Sequence, residues 1–87
     1  MKVRFHGPFA ALAEPEAQVA LERPVPLREL LGLLAVRYAG MARYAGIGSE
    51  AELSCQLVFI RAGRILDWSE TVRDTDLIEV VLPATGG

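Results

Sequence analysis

The chain has 87 residues, 52% of them hydrophobic and 23% charged, with one cysteine and one histidine. This length fits a single domain over residues 1–87, with enough apolar residues for a core that needs no cross-links. The net charge of −2 argues against a cluster of basic residues that would bind nucleic acid or an anionic membrane. The single cysteine, Cys55, excludes an internal disulfide and a cysteine-ligated metal centre.

The first quarter of the chain predicts two strands. Residues 2–6 alternate polar and apolar, which is typical of a half-buried strand, and Gly7 and Pro8 end it. Residues 9–14 are short and rich in alanine, and predict at most one helical turn before Pro15. Residues 18–22 alternate again and predict a second strand that returns beside the first.

One amphipathic helix follows, and it is the clearest local pattern. Apolar residues recur at helical spacing over residues 27–38: Leu27, Leu30, Leu31, Leu34, Ala35 and Tyr38. Pro26 suits the start of this helix, and Gly40 suits a left-handed cap just after its end. Such a helix is expected to cover one face of a sheet.

The second half predicts three more strands. Residues 41–54 show no clear period and are interpreted as a loop with at most a short helical turn. Residues 56–61 predict an inner strand, the turn at Ala62 and Gly63 leads to a short return strand at residues 65–66, and residues 67–76 are a polar loop. Residues 77–82 predict the last strand, which Pro83 ends. The order predicts an α+β fold: a mixed sheet of about five strands, with the first and last strands central and parallel, and one main helix packed on one face.

The chain closes on Gly86 and Gly87, directly after a strand that should be rigid. Glycines have no side chain, so such a tail, protruding over residues 83–87, can pass through a channel too narrow for other residues. A terminal carboxylate is ionised at neutral pH and is a poor electrophile until an oxygen becomes a leaving group, as in an acyl-adenylate made from ATP. A sulfur nucleophile can then displace AMP to leave a thiocarboxylate.

Six segments resemble one family in order and spacing. They are residues 1–5, 9–13, 27–31 with Tyr38, 58–64, 74–80 and 82–87. Over nearly its full length the chain resembles the MoaD/ThiS family of ubiquitin-like sulfur carriers, and it is most similar to the small subunit of molybdopterin synthase. The order of the predicted elements is that of the β-grasp, the fold of ubiquitin, and the resemblance implies a carrier that is not itself catalytic. No segment has the pattern of a targeting signal or a bilayer-spanning helix, and with a single thiol this predicts a cytoplasmic protein.

The resemblance also implies a division of labour among several proteins. An adenylating enzyme of the ubiquitin-activating type (MoeB/ThiF-like) would use ATP to adenylate Gly87, and a sulfurtransferase would supply the sulfur. The large subunit of molybdopterin synthase (MoaE-like) would receive the tail and build molybdopterin for the molybdenum cofactor. Gly87 would carry the thiocarboxylate, and four tail residues would line the partner's channel: Pro83, Ala84, Thr85 and Gly86. No bound cofactor, metal, nucleic acid or membrane is expected.

Other functions of the same tail stay open at this point. Carriers for tRNA thiolation, thiamine or tungsten cofactor synthesis share the outline, and a protein modifier that forms isopeptide bonds, as ubiquitin does, would use the same glycines. A third class is a β-grasp interaction module in which the glycines are incidental.

For the remaining candidate residues we favour an ordinary structural role over a functional one. Cys55 precedes an apolar strand and is expected to be buried rather than a persulfide carrier. His6 is expected at a solvated edge. Two clusters are expected to be solvated rather than to bind an acidic partner or a divalent ion: Arg61, Arg64 and Arg73, and Asp74, Asp76 and Glu79. Alternation leaves open whether Trp68 caps the core or anchors an interface, and whether Phe59 and Val81 lie on an exposed sheet face.

Overall fold

The computed structural model describes residues 1–83, which form seven strands and four helices. The strands are β1 (Lys2–Phe5), β2 (Glu16–Gln18), β3 (Val25–Pro26), β4 (Val58–Arg61), β5 (Arg64–Ile65), β6 (Thr71–Val72) and β7 (Leu77–Val81). The helices are α1 (Pro8–Leu12), α2 (Leu27–Arg37), α3 (Ala42–Ala45) and α4 (Glu50–Ser54), with a 3-10 turn at Ala39–Met41. Nowhere in residues 1–83 is a helix both long enough and apolar enough to cross a bilayer.

The main sheet is mixed and has the strand order β2-β1-β7-β4-β5. The first and last strands, β1 and β7, are inner neighbours and parallel, with Lys2 level with Leu77 and Phe5 level with Val80. Strand β7 is also paired with β4 in the antiparallel sense. The predicted five-strand mixed sheet with a central parallel pair is therefore confirmed.

Helix α2 supplies the helical side of the core, as its spacing predicts. Its four inward residues are at most 1% exposed: Leu27, Leu30, Leu31 and Leu34. Opposite them the sheet contributes a matching set of buried side chains: Val3, Phe5, Phe59, Ile78 and Val80. The ring of Tyr38 closes the end of this layer edge-on to Phe5, with 5.7 Å between the ring centroids. Burial of this apolar stripe, more than helix propensity, holds α2 in place.

The second strand lies earlier than residues 18–22, so that prediction is wrong in position. Strand β2 pairs Ala17 with Val3, and Ala17 is 2% exposed. The carbonyl of Pro15 accepts a hydrogen bond from the Phe5 amide at 3.0 Å, which begins the pairing before β2 itself. Glu16 forms ion pairs with Lys2 and Arg4 across this edge, at 3.6 and 3.0 Å. Cross-strand pairing thus outweighs the local alternation farther along.

A second, small sheet includes part of the segment predicted as a polar loop. Within residues 67–76, Val72 pairs with Val25 to form the β3–β6 sheet, and both valines are buried. This sheet is joined to the start of α2, because the Leu27 amide donates to the Glu70 carbonyl at 2.8 Å. Two-residue strands separated by more than 40 positions leave no periodicity for a local pattern to reveal.

Helix α4 lies where a loop was predicted, and its start has a recognisable sequence pattern. Ser49 is its N-cap, and the Ser49 hydroxyl accepts a hydrogen bond from the Glu52 amide at 3.2 Å. A serine followed three positions later by a glutamate is the sequence of a capping box. This pattern, rather than apolar spacing, could have identified the helix.

The β4–β5 turn confirms the predicted role of Ala62 and Gly63. Both residues have positive φ, 53° for Ala62 and 77° for Gly63. Positive φ at both central positions is the backbone of the two-residue turn that fits the natural twist of a hairpin. The return strand pairs Arg64 with Arg61 and Ile65 with Ile60, one residue earlier than predicted.

Gly40 does not form the predicted left-handed cap. It lies inside the 3-10 turn, and helix α2 ends at Arg37, followed by the C-cap residue Tyr38, whose backbone is extended. A Cβ atom at Gly40 would lie 2.7 Å from the backbone oxygen of Leu12. The glycine is needed because α1 approaches the chain here, not because the backbone turns left-handed.

Two glycine-to-alanine changes should therefore have opposite effects on stability. Gly32 lies inside α2, and an added Cβ atom there would have no neighbour within 4 Å, so Gly32→Ala should raise the free energy of unfolding by about 0.5–1 kcal/mol. Gly40→Ala should lower it by about 1–3 kcal/mol, because a backbone atom of α1 must move. Urea denaturation measures both, and a change of the same sign in the two variants would contradict the packing described for Gly40.

Candidate functional site

The route to the C-terminus starts from the most firmly paired strand of the sheet. Strand β7 has a partner on each side, and its pairing runs to the last residue, where Val81 lies opposite Val58. On the other side the His6 amide donates to the Val80 carbonyl at 3.0 Å. Leu82, which is 55% exposed, and the half-buried Pro83 follow directly. The chain thus leaves the sheet from a fixed point.

The other predicted tail residues lie outside the described residues. They are Ala84, Thr85, Gly86 and Gly87. Their roles as channel-lining and modified residues stay predictions, and so does the protruding tail as a whole. What the described chain establishes is the anchor before them, which is the end of β7 at Val81, followed by Leu82 and Pro83.

The sheet face that points away from α2 has an apolar half beside this exit. Val58 lies opposite Val81, and Ile60 lies opposite Ile65. Residues that pair directly across strands share a face, so these four side chains form one patch, which we name the apolar cluster. Ile65 on the edge strand is 58% exposed. Ile60 and Val81 are partly buried and Val58 is buried, so Ile65 supplies most of the exposed apolar surface beside the chain exit, where another protein could make contact.

The other half of that face is charged and is held by ion pairs. Arg4 Nε donates to Glu16 Oε2 at 3.0 Å, and this hydrogen bond, together with Lys2, holds the pKa of Glu16 below its usual value. His6 Nε2 lies 3.0 Å from Glu79 Oε1, between β1 and β7. The face therefore changes from charged at β2 and β1 to apolar at β4 and β5.

Comparison with solved structures identifies the fold. No family model and no curated protein matches the chain. A protein from Pyrococcus furiosus described as "Putative molybdopterin converting factor, subunit 1" superposes with a TM-score of 0.74 and 22% identity, covering 95% of each chain. SAMP1 from Haloferax volcanii superposes with a TM-score of 0.76 and 18% identity, covering 99% of this chain and 97% of SAMP1. The fold is the ubiquitin-like β-grasp. The resemblance inferred from the sequence is confirmed at the level of fold.

Within this β-grasp domain, two of the three arginines predicted as a cluster are neutralised by acids. Arg61 Nη1 lies 2.9 Å from Asp76 Oδ2 and also donates to the Thr71 carbonyl. Arg64 binds both carboxylate oxygens of Glu70, at 3.0 and 2.6 Å. These bonds, with one from the Asp67 amide, lower the pKa of Glu70 to about 2. Arg61 and Arg64 are therefore engaged in ion pairs within the domain, which does not favour a basic patch for an acidic partner.

The two aromatic candidates belong to the core. Phe59 is fully buried, so the suggestion that it lies on an exposed face is wrong, whereas Val81 is half-exposed on that face. Trp68 is 6% exposed and packs edge-on against Phe59, with 5.6 Å between the ring centroids. The Trp68 indole nitrogen donates to Ser54 Oγ at 2.8 Å. Trp68 therefore caps the core and does not anchor a partner.

The remaining polar candidates are separated from one another. Cys55 is exposed after α4, so its expected burial is wrong. His6 is solvated as expected, although it lies between the inner strands β1 and β7 and not at an edge of the sheet. Asp74 accepts hydrogen bonds from the Leu21 amide and the Met1 amino group, at 2.9 and 3.2 Å, and these bonds lower its pKa. Asp76 and Glu79 pair with Arg61 and His6 instead. Across residues 1–83 no three potential ligands converge on a metal position.

Proposed function

We propose that this chain is a sulfur carrier that acts as the small subunit of molybdopterin synthase. The observation that carries the proposal is the position of β7: the strand that leads to Gly86 and Gly87 is the central, doubly paired strand of a β-grasp sheet. The similarity in fold between this chain and a protein described as a putative molybdopterin converting factor subunit supports molybdopterin synthesis as the pathway.

The proposed chemistry takes place on Gly87 and uses other proteins as catalysts. A Gly87 carboxylate oxygen attacks the α-phosphorus of ATP on an adenylating enzyme, and pyrophosphate leaves. The terminal sulfur of a persulfide on a sulfurtransferase then attacks the carbonyl carbon, and AMP leaves with the bonding electrons. A thiol reduces the resulting acyl disulfide and frees the thiocarboxylate. This chain binds no ATP of its own in the scheme and supplies only the carrier group.

The described surface explains how partners would position that group. The apolar cluster lies beside the exit of β7, so a partner that covers Val58, Ile60, Ile65 and Val81 is placed where the tail begins. The adenylating enzyme and the large synthase subunit would use this face in turn. Pro83, Ala84, Thr85 and Gly86 would then line the channel of each partner, where glycine permits the closest approach.

Intact mass spectrometry tests the proposal directly. The chain is incubated with an adenylating enzyme of the ubiquitin-activating type, MgATP and a sulfurtransferase charged with persulfide. The expected product has one oxygen of Gly87 replaced by sulfur. When the large subunit of molybdopterin synthase and its cyclic pyranopterin precursor are added, this sulfur should pass to the precursor and the Gly87 carboxylate should return. Absence of any adenylate would contradict both tail-based functions. A thiocarboxylate that the synthase large subunit does not accept would favour a carrier for tRNA thiolation, thiamine or tungsten cofactor instead.

A further inference from the structure

The chain has a single side-chain amine. Lys2 is the only lysine in the sequence, and the other eight cationic side chains are arginines. A guanidinium stays protonated and does not attack a carbonyl, whereas a lysine amine can form an amide bond. If the terminus of one copy is activated as an acyl-adenylate, another copy therefore offers a single lysine ε-amine that can attack it.

Lys2 lies at the opposite end of the sheet from the chain exit. It is level with Leu77, where β7 begins, whereas the chain leaves after Val81 and Pro83. The six steps from Leu77 to Pro83 span about 20 Å along an extended strand. The four residues after Pro83 reach at most about 14 Å. Attack on the activated end of the same copy would need those residues to reverse and lie back along the sheet, so attachment between two copies is favoured.

The surroundings of Lys2 fit an incoming chain without bulky side chains. Its side chain is 40% exposed, with the amine 3.6 Å from Glu16 Oε1. Beside it runs a surface groove of about 370 Å³, whose lining includes Gln18, Asp76 and Leu77. An extended glycine segment can enter such a groove without steric conflict, because it has no Cβ atoms.

The competing backbone amine is already engaged. The Met1 amino group donates to the Val19 carbonyl at 2.8 Å and to Asp74 Oδ1 at 3.2 Å. The Met1 side chain is buried, which keeps this end of β1 fixed against the sheet. The Lys2 amine is therefore accessible to an acyl donor in the groove, whereas the Met1 nitrogen is engaged in hydrogen bonds.

We propose that Lys2 is the one isopeptide acceptor on this chain, and that a second activated copy is joined to it through Gly87; this rests on the proposed adenylation. The Lys2 nitrogen attacks the carbonyl carbon of the acyl-adenylate, the carbon–oxygen bond to AMP breaks, and AMP leaves with the electron pair. The proton lost from nitrogen passes to solvent. The product is a chain in which each Lys2 end carries the Gly87 end of its neighbour, and no oxidant is needed.

The first experiment uses the adenylating enzyme and MgATP without any sulfur source. The expected product has twice the mass of one chain less one water, resists thiol reductants, and maps by tryptic digestion to Lys2. Lys2→Arg keeps the positive charge and should lower its yield at least about 10-fold. The double variant Lys2→Arg/Arg43→Lys restores one exposed lysine away from the groove, and its yield should stay as low as that of Lys2→Arg, so a yield restored at position 43 would overturn the assignment. Linkage at Met1, unchanged yield in Lys2→Arg, or adenylate without any dimer would each overturn the assignment.

A second experiment separates this proposal from the proposed function. The N-hydroxysuccinimide ester of N-acetyl-glycylglycine imitates an activated tail and needs no enzyme. At limiting reagent it should modify Lys2 alone, and Lys2→Arg should remain unmodified. Modification at Met1 or at other residues would overturn the role of Lys2 even if adenylation occurs. Selective modification of Lys2 together with a lack of adenylation would overturn the carrier function instead.

Discussion

Gly87→Trp should abolish thiocarboxylate formation and leave the fold intact. An indole ring cannot follow a glycine path into a narrow channel, so the carboxylate no longer reaches the nucleotide of the adenylating enzyme. Glycine contributes no side chain to the core, and the free energy of unfolding should stay within about 0.5 kcal/mol of the wild-type value. Intact mass after activation and urea denaturation measure the two quantities on the same preparation.

The matched control for this change is Gly48→Trp. Gly48 lies before α4, far along the chain from the terminus, with nothing within 4 Å of a Cβ position. The same bulk added there should leave the rate of sulfur loading unchanged. Full loading of Gly87→Trp, or equal loss in both variants, would contradict the role given to the terminal glycines.

Ile65→Asp should weaken binding of the adenylating enzyme by about 10–100-fold, which corresponds to roughly 1.4–2.8 kcal/mol. Ile65 is 58% exposed on the edge strand β5 and belongs to the apolar cluster beside the chain exit. A carboxylate there would have to lose its water of hydration in a contact that offers it no partner. Titration calorimetry with the enzyme, without ATP, measures the effect.

Val36→Asp is the matched control, because it also replaces an exposed apolar side chain with a carboxylate, but on helix α2 and not on the sheet face. Val36 is 89% exposed on the outer side of α2, away from the sheet face. Its replacement should leave affinity unchanged. Loss of affinity in Val36→Asp but not in Ile65→Asp would place the partner on the helical side and contradict the docking face.

The parts of the fold predicted correctly are those with strong local periodicity. The stripe from Leu27 to Leu34 is enough to locate α2, because one helix buries one face and its spacing records that face. The parts predicted wrongly depend on partners distant in sequence. Ala17, Val19 and Leu21 all pack towards the core, as the alternation predicts, but the strand itself ends at Gln18 because only Glu16–Gln18 pair with β1. No property of residues 16–22 alone reveals where that pairing begins and ends.

The candidate site divides in the same way. The terminal glycines can be read directly from the sequence, whereas the apolar cluster requires the pairing of three strands to be known. Phe59 shows the difficulty: in an uninterrupted apolar run from Leu57 to Ile60, alternation does not tell which residues face inward. Both Leu57 and Phe59 are fully buried, and Val58 and Ile60 take the other face.

The parallel pairing of β1 with β7 has a consequence for when the protein becomes recognisable during its synthesis. Strand β7 fills the gap between β1 and β4, so the sheet stays divided until the final strand has been made. The face proposed for docking and the end proposed for activation both follow from the placement of Val81 and its neighbours, so both form only when β7 is in place. On the proposed function, a ribosome-bound or truncated copy without β7 would lack the docking face, and an activating enzyme that requires that face would not adenylate it.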